Sequence, residues 1–189
     1  MAIPEDVSAA LAVELRQRRD NARLTQPEAA AASHLRQPTI VRRIEKNERQ
    51  CSVPQLVGLA ITYGTRASEI LAAAEAAAAG REPGQQPCSD HTAQPPHDVS
   101  RALAKELRER REAAGLSQPA LAHRSGLKHA TTIARLEHHE RRCNIPQLVR
   151  LGEALGLPAS QLLAAAEARA EREAPPEISG LPAALQGDL

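Results

Sequence analysis

Three groups of residues in this 189-residue chain have types and spacings that invite a chemical reading. The first is the run Arg16, Arg18 and Arg19, which closes an apolar-periodic stretch. Guanidinium groups in that position either contact phosphate or sit in water beside the negative end of a helix dipole. The second is Cys51, Cys88 and Cys143. They form no C-x-x-C pair and no regular Cys/His spacing, so Cys51 and Cys143, at one position of a repeat, read as small buried apolar residues rather than zinc ligands or a redox switch. The third is His138-His139. Adjacent side chains on a helix end diverge, so these read as solvated, not as a metal site. No nucleophile–base arrangement or glycine-rich phosphate loop is present, so no catalytic residue, cofactor or metal is expected and an enzyme is the distant reading.

The informative chemistry lies in the elements that would position the remaining polar groups. Residues 116–137 read as two short helices joined by a tight turn. Ser117 can cap the first, with Gln118 and Pro119 in its first turn. Leu121 and Ala122 give that helix an apolar face. Gly126 stands where the chain must turn, and only glycine adopts left-handed angles freely. Ile133 and Leu136 share one face of the second helix, while Thr131, Thr132 and Arg135 fall on others. This is the logic of a helix-turn-helix, whose second helix can enter the major groove of DNA.

Leu116, Ser117, Gln118, Leu121, Ala122, Gly126, Ile133, Arg135, Leu136 and Glu137 resemble the phage-repressor-like (XRE-type) helix-turn-helix family. The resemblance implies a compact five-helix bundle and assigns roles by position. Gln26 and Gln118, at the first position of the second helix, would grip a DNA phosphate, where exposed amides and the helix dipole already favour an anion. Arg19 would pair with Glu45 and Arg111 with Glu137, tying helix 1 to the reading helix. Gln37, Pro38, Thr39 and Arg43 would face bases in one copy, and His129, Ala130, Thr131 and Arg135 in the other. Arginine is the usual bidentate partner of guanine. Arg42, Lys128, Arg49 and Arg141 are candidates for backbone contact. The plain alternative is a solvated helix face, which Thr, His and Gln suit poorly. Both copies carry one residue more than the family before the core residue of the reading helix, from Leu35 to Val41 and from Leu127 to Ile133. The start of that helix is therefore open by a residue. His34 replaces Gly126 at the turn, and Asn47 and His139 stand where the family has glycine; histidine and asparagine tolerate the left-handed region better than most residues.

The unit occurs twice. Asp98-Val-Ser-Arg-Ala-Leu-Ala-Lys-Glu-Leu-Arg matches Asp6-Val-Ser-Ala-Ala-Leu-Ala-Val-Glu-Leu-Arg, and the offset of 92 holds through Ala164-Ala-Ala-Glu-Ala. About half the aligned positions are identical, which is a duplication rather than a solenoid unit. The expected organisation is one helix-turn-helix domain over 6–80, a Pro/Gln-rich linker over 81–97, a second domain over 98–173 and a loose tail over 174–189. Within repeat 1, the expected helices begin at Val7 with Ser8 as cap, then at Thr25-Gln-Pro-Glu28, a capping box. The third spans 38–47, or 130–139 in repeat 2. The fourth opens at Ser52-Val-Pro-Gln55, or Asn144-Ile-Pro-Gln147, and stops at Gly64 or Gly156. The fifth is Ala-rich, and small residues permit close packing. A flexible linker would span roughly 23 Å on average and up to about 60 Å stretched.

The fold class is thus all-α: two tandem five-helix phage-repressor-like helix-turn-helix domains joined by a flexible linker. With no Trp, no Phe and Tyr63 the one aromatic, the cores must be Leu, Ile, Val and Ala. The net charge of +1 does not advertise nucleic acid, but the footprint depends on where the charge sits. No signal peptide or spanning run is read, so a cytoplasmic protein is expected. The expected partner is double-stranded DNA. A second copy through the Ala-rich fifth helix, RNA polymerase and a partner protein are further candidates, and no membrane is. The functional expectation is a transcription regulator, repressor by family, reading two half-sites. Its rival is an antitoxin-like protein that also binds its own operator, with Ile178, Leu181, Leu185 and Leu189 of the tail meeting a toxin.

Overall fold

The computed structural model describes residues 4–80 and 99–173. The expected linker and tail, and Cys88 with them, lie outside the described residues. Ten helices are present among those described: α1 (Pro4–Asn21), α2 (Gln26–Ala32), α3 (Thr39–Glu45), α4 (Val53–Thr62), α5 (Ala67–Ala78), α6 (Val99–Ala113), α7 (Gln118–Arg124), α8 (Ala130–Glu137), α9 (Ile145–Leu155) and α10 (Ala159–Glu173). One isolated antiparallel bridge joins Ser52 to Asn144.

Local chemistry accounts for most boundaries. The Ser52 amide donates to Gln55 Oε1 at 3.1 Å, and Asn144 Oδ1 accepts from the Gln147 amide at 2.9 Å, which start α4 and α9. Gly64 and Gly156 follow those helices at φ 69° and 75°. Some boundaries depart from expectation. Helix α1 begins at Pro4, because proline fits a first turn whose amide needs no partner, and Ser8 sits inside it rather than capping it. Helices α3 and α8 end at Glu45 and Glu137, earlier than the spans 38–47 and 130–139. Asn47 and His139, at φ 54° and 59°, have already left the helix in the left-handed region.

Leu11 and Leu15 of α1 are buried in one core with Ile70 and Leu71 of α5. Leu103 and Leu107 of α6 take the matching places beside Leu162 and Leu163 of α10. Each such side chain contributes about 1.5–3 kcal/mol by leaving water. Helices α5 and α10 also pack on each other, as do α1 on α9 and α4 on α6, so one apolar core runs through both repeats. The Ala-rich fifth helix, offered by the sequence to a second copy, meets α10 of its own chain. Ala74 and Ala166 are fully buried, and side chains this small let helices approach closely. The outer edge of α6–α10 is tied by Lys105–Glu173 at 2.6 Å and by Arg169 on Glu109. Repeat 1 has Val13, 59 % exposed, where Lys105 stands.

Candidate nucleic-acid interface

Helices α2 and α7 start on side-chain caps. Thr25 Oγ1 accepts from the Glu28 amide and Glu28 Oε2 accepts from the Thr25 amide at 2.7 Å. Ser117 Oγ accepts from the Ala120 amide at 3.3 Å. The chain then reverses at His34 and Gly126, at φ 52° and 65°. The Leu35 and Leu127 amides close these turns on Ala30 O and Ala122 O, both at 2.9 Å. Val41 and Ile44, like Ile133 and Leu136, are buried and fix the inner face of α3 and α8. The opposite face is left to solvent.

That outer face carries Thr39, Arg42 and Arg43 on α3 and Thr131 and Arg135 on α8, all exposed. Gln37 and Pro38 are exposed and precede α3, with Pro38 as its N-cap. His129 is exposed and is the N-cap of α8. Ala130, the first residue of α8, is half-buried and packs on the core. Helices α3 and α8 thus begin differently: Pro38 is already helical at φ −56°, whereas His129 is extended at φ −136°. Lys128 in the turn, and Arg49 and Arg141 in the loops after α3 and α8, are exposed. Exposed Arg36, Lys46, Arg124 and Arg142 stand on the same segments. A chain of net charge +1 therefore concentrates cations around these two helices.

Behind each of α3 and α8 lies the same buried constellation. Arg19 Nε donates to Glu45 Oε1 at 2.7 Å and Nη2 to Oε2 at 3.3 Å. Arg111 Nε donates to Glu137 Oε1 at 2.6 Å and Nη2 to Oε2 at 3.1 Å. Both arginines spend Nη1 on a backbone carbonyl, Leu24 O and Leu116 O, at 2.8 Å. The glutamate side chains are 3 % exposed in each repeat. The hydrogen bond to its glutamate holds each arginine above its ordinary range. Planar fork-on-fork geometry of this kind fixes orientation as well as supplying energy.

A third member joins both pairs, and residue spacing did not announce it. Gln26 Nε2 donates to Glu45 Oε2 at 2.7 Å, and Gln118 Nε2 to Glu137 Oε2 at 2.9 Å. The first residue of α2 or α7 is thereby locked to the last residue of α3 or α8. Only the lone polar position at the head of each second helix hinted at this. A second unannounced feature is Arg23 at φ 56°, where repeat 2 has Gly115 at φ 66°; the glycine was the available signal.

Of the other candidates, Arg18 donates to Glu14 Oε1 at 2.7 Å and to Thr65 Oγ1 at 3.3 Å, tying α1 to the start of α5. Arg16 is exposed, 3.9 Å from Asp20. Cys51 and Cys143 are buried, and burial pushes both thiols up to about 12, which keeps them protonated and inert. Among the described residues no three His, Cys, Asp or Glu side chains gather to hold a metal ion. No helix there is long and apolar enough to cross a membrane.

Residues 102–165 match a family model described as a helix-turn-helix domain. The matched stretch holds α7, α8 and the Arg111–Glu137–Gln118 constellation. That stretch is therefore similar to a helix-turn-helix domain, a motif whose second helix can enter the major groove of DNA. Comparison with curated proteins and with solved structures gives no match.

Proposed function

We propose that this chain is a sequence-specific DNA-binding transcription regulator of the XRE type, reading two half-sites with two non-identical helices, α3 and α8. The observation that carries this is the repetition of one positioning device behind two different outer faces. The Arg–Glu–Gln constellation, the capped second helix and the left-handed turn occur in both repeats. The segments that open the two helices differ, Gln37-Pro38-Thr39-Ile40 against His129-Ala130-Thr131-Thr132, and of these Gln37, Pro38, Thr39, His129 and Thr131 are exposed. A scaffold kept twice with its outer face altered suits two readers of different bases.

In this reading Arg43 and Arg135 each take a guanine edge in the major groove. Thr39, Thr131, Gln37 and His129 contact neighbouring bases, with Pro38 and Ala130 setting apolar contact. Gln26 and Gln118 at the helix N-termini, with Arg42, Lys128, Arg49 and Arg141, hold phosphates and set register. Regulation follows from occupancy of a promoter. The test is selection from a random DNA pool, followed by binding of variants. Arg43→Ala and Arg135→Ala should each cost about 1–3 kcal/mol and relax preference at one base position. An unchanged specificity profile in both variants would mean that these helices do not read bases.

A further inference from the structure

Several contacts between the two repeats are reciprocal residue by residue, although Arg66–Glu171 and Asn144–Gln50 stand where the other repeat has Pro158 with Ala79 and Ser52 with Arg142. Around the Ser52/Asn144 bridge, the Val53 amide donates to Cys143 O and the Ile145 amide to Cys51 O, each at 3.0 Å. Shifting the first bond by the repeat offset gives the second. The same holds at the fifth helices. Glu75 accepts from the Ala159 amide at 2.7 Å and from Ser160 Oγ at 2.5 Å. Glu167 accepts from the Ala67 amide at 2.9 Å and from Ser68 Oγ at 2.5 Å. Each carboxylate thus meets the positive end of the other repeat's helix. Helix α1 packs on α9 as its counterpart α6 packs on α4. Exchange of this kind, where one residue meets a second and their counterparts meet in turn, is the mark of a two-fold interface. Here both sides belong to one chain.

The interface also controls where the reading helices lie. Helix α3 leads directly through its loop into Cys51 and Ser52, and α8 leads into Cys143 and Asn144. Helices α2 and α7 pack on α4 and α9, which those bridge residues start. A tether alone would leave the two reading helices free in orientation and separation, since a stretched linker reaches about 60 Å. A two-fold interface does not.

We infer that one chain binds one composite DNA site as a monomer, with its two different half-sites in inverted orientation and at one fixed spacing. This deepens the proposed function and rests on it. Two-fold related helices entering one face of a duplex meet half-sites about one helical turn apart, roughly 34–36 Å. Each half-site is read on the opposite strand, as in a palindrome. Because the two outer faces differ, the site itself is not a palindrome.

The experiment uses the full chain. Sites are selected from a random duplex pool, then the half-sites are moved apart by half a helical turn. A second protein carries a Gly/Ser insert after Gly84 that doubles the linker. Expected are inverted, unlike half-sites at one spacing and one chain per duplex by native mass spectrometry. The half-turn insertion should lower affinity by on the order of 10²–10⁴-fold, the loss of simultaneous engagement. The longer linker should not restore it. Directly repeated half-sites, a broad range of spacings, recovery of affinity by the longer linker, or two chains per site would each overturn the inference. A chain that selects no sequence at all would instead refute the DNA-reading function on which the inference rests.

Discussion

Replacing Arg111 with Met removes the charge that Glu137 faces while keeping most of the apolar stem. The two side chains are 10 % and 3 % exposed, and the contact is a two-point fork. The variant leaves a buried carboxylate whose remaining partner is the Gln118 amide, 2.9 Å away. It also strips Leu116 O of its donor. Removing one member of a buried pair costs about 3–5 kcal/mol, mostly the burden of the charge left behind. In a chain of this size each kcal/mol shifts Tm by about 2–4 °C, so a fall on the order of 6–20 °C is expected. Arg108→Met is the control. Its partner Glu112 lies 2.9 Å away, but both side chains are more than half exposed, so the change in Tm should be small. The double variant Arg111→Met/Glu137→Leu should recover much of the stability, because no unpaired charge remains. It should not recover DNA affinity, since Gln118 has lost the acceptor that positions it. Thermal unfolding followed by circular dichroism, with DNA titration on the same samples, reads both. If Arg111→Met melts with the parent protein, the constellation is not the structural anchor described above.

Gln26→Ala and Gln118→Ala should weaken binding to all DNA sequences about equally, because a phosphate contact carries no base information; a change of base preference in filter or fluorescence titrations would contradict that role. Gly152→Ala should destabilise by about 1–3 kcal/mol through overpacking, because its Cβ would lie 2.6 Å from Leu157 O. Ala60 occupies the matching position in repeat 1, so sequence comparison alone would expect a harmless change, and an unaltered Tm would favour that expectation. Burial holds the Glu167 carboxyl above its ordinary range despite bonds from Ser68 and Ala67. Its folded form therefore binds a proton more tightly than the unfolded chain. The stability linked to that proton is complete below the ordinary glutamate range and is lost as pH rises through the raised value. Glu167→Gln keeps an acceptor for the Ala67 amide and has no charge to bury. Its stability relative to the parent should rise between about pH 4 and pH 7; denaturant melts showing the parent gaining instead would reverse the sign.

How far the sequence speaks depends on how local the signal is. Thr25-Gln-Pro-Glu28 and Asn144-Ile-Pro-Gln147 announce helix starts because cap and partner lie three residues apart. Gly126 announces a turn, and by alignment so does His34, although histidine alone would not. The Arg19–Glu45 contact spans 26 residues, and no local pattern marks it; the family resemblance singled out the two residues. The Glu167–Ala67 bond spans 100 residues. A lone carboxylate in Ala-Ala-Ala-Glu-Ala reads as a solvated side chain, and its partner is a backbone amide that every sequence possesses. The left-handed Asn47 is expected from the family's glycine, but not that α3 ends two residues earlier, at Glu45, with Lys46 as its cap.

The two repeats differ in ways that follow from what each residue must satisfy. The reciprocal contacts constrain both of their members, and Ala67, Ser68 and Glu75 are matched by Ala159, Ser160 and Glu167. The constellation behind the reading helix is equally restrictive, since a fork must meet a fork, and Arg19, Gln26 and Glu45 are matched by Arg111, Gln118 and Glu137. The exposed Gln37 lies outside both and stands against the exposed His129. In an assembly of identical chains, any substitution on the reading face appears in both half-sites at once. When both sides of the two-fold are encoded in one chain, a substitution at position 37 leaves position 129 untouched. In the proposed reading, each half of the DNA site can then be adjusted separately, while the interface proposed to set spacing stays as it was. A two-fold scaffold carrying unlike faces is what such independence would produce.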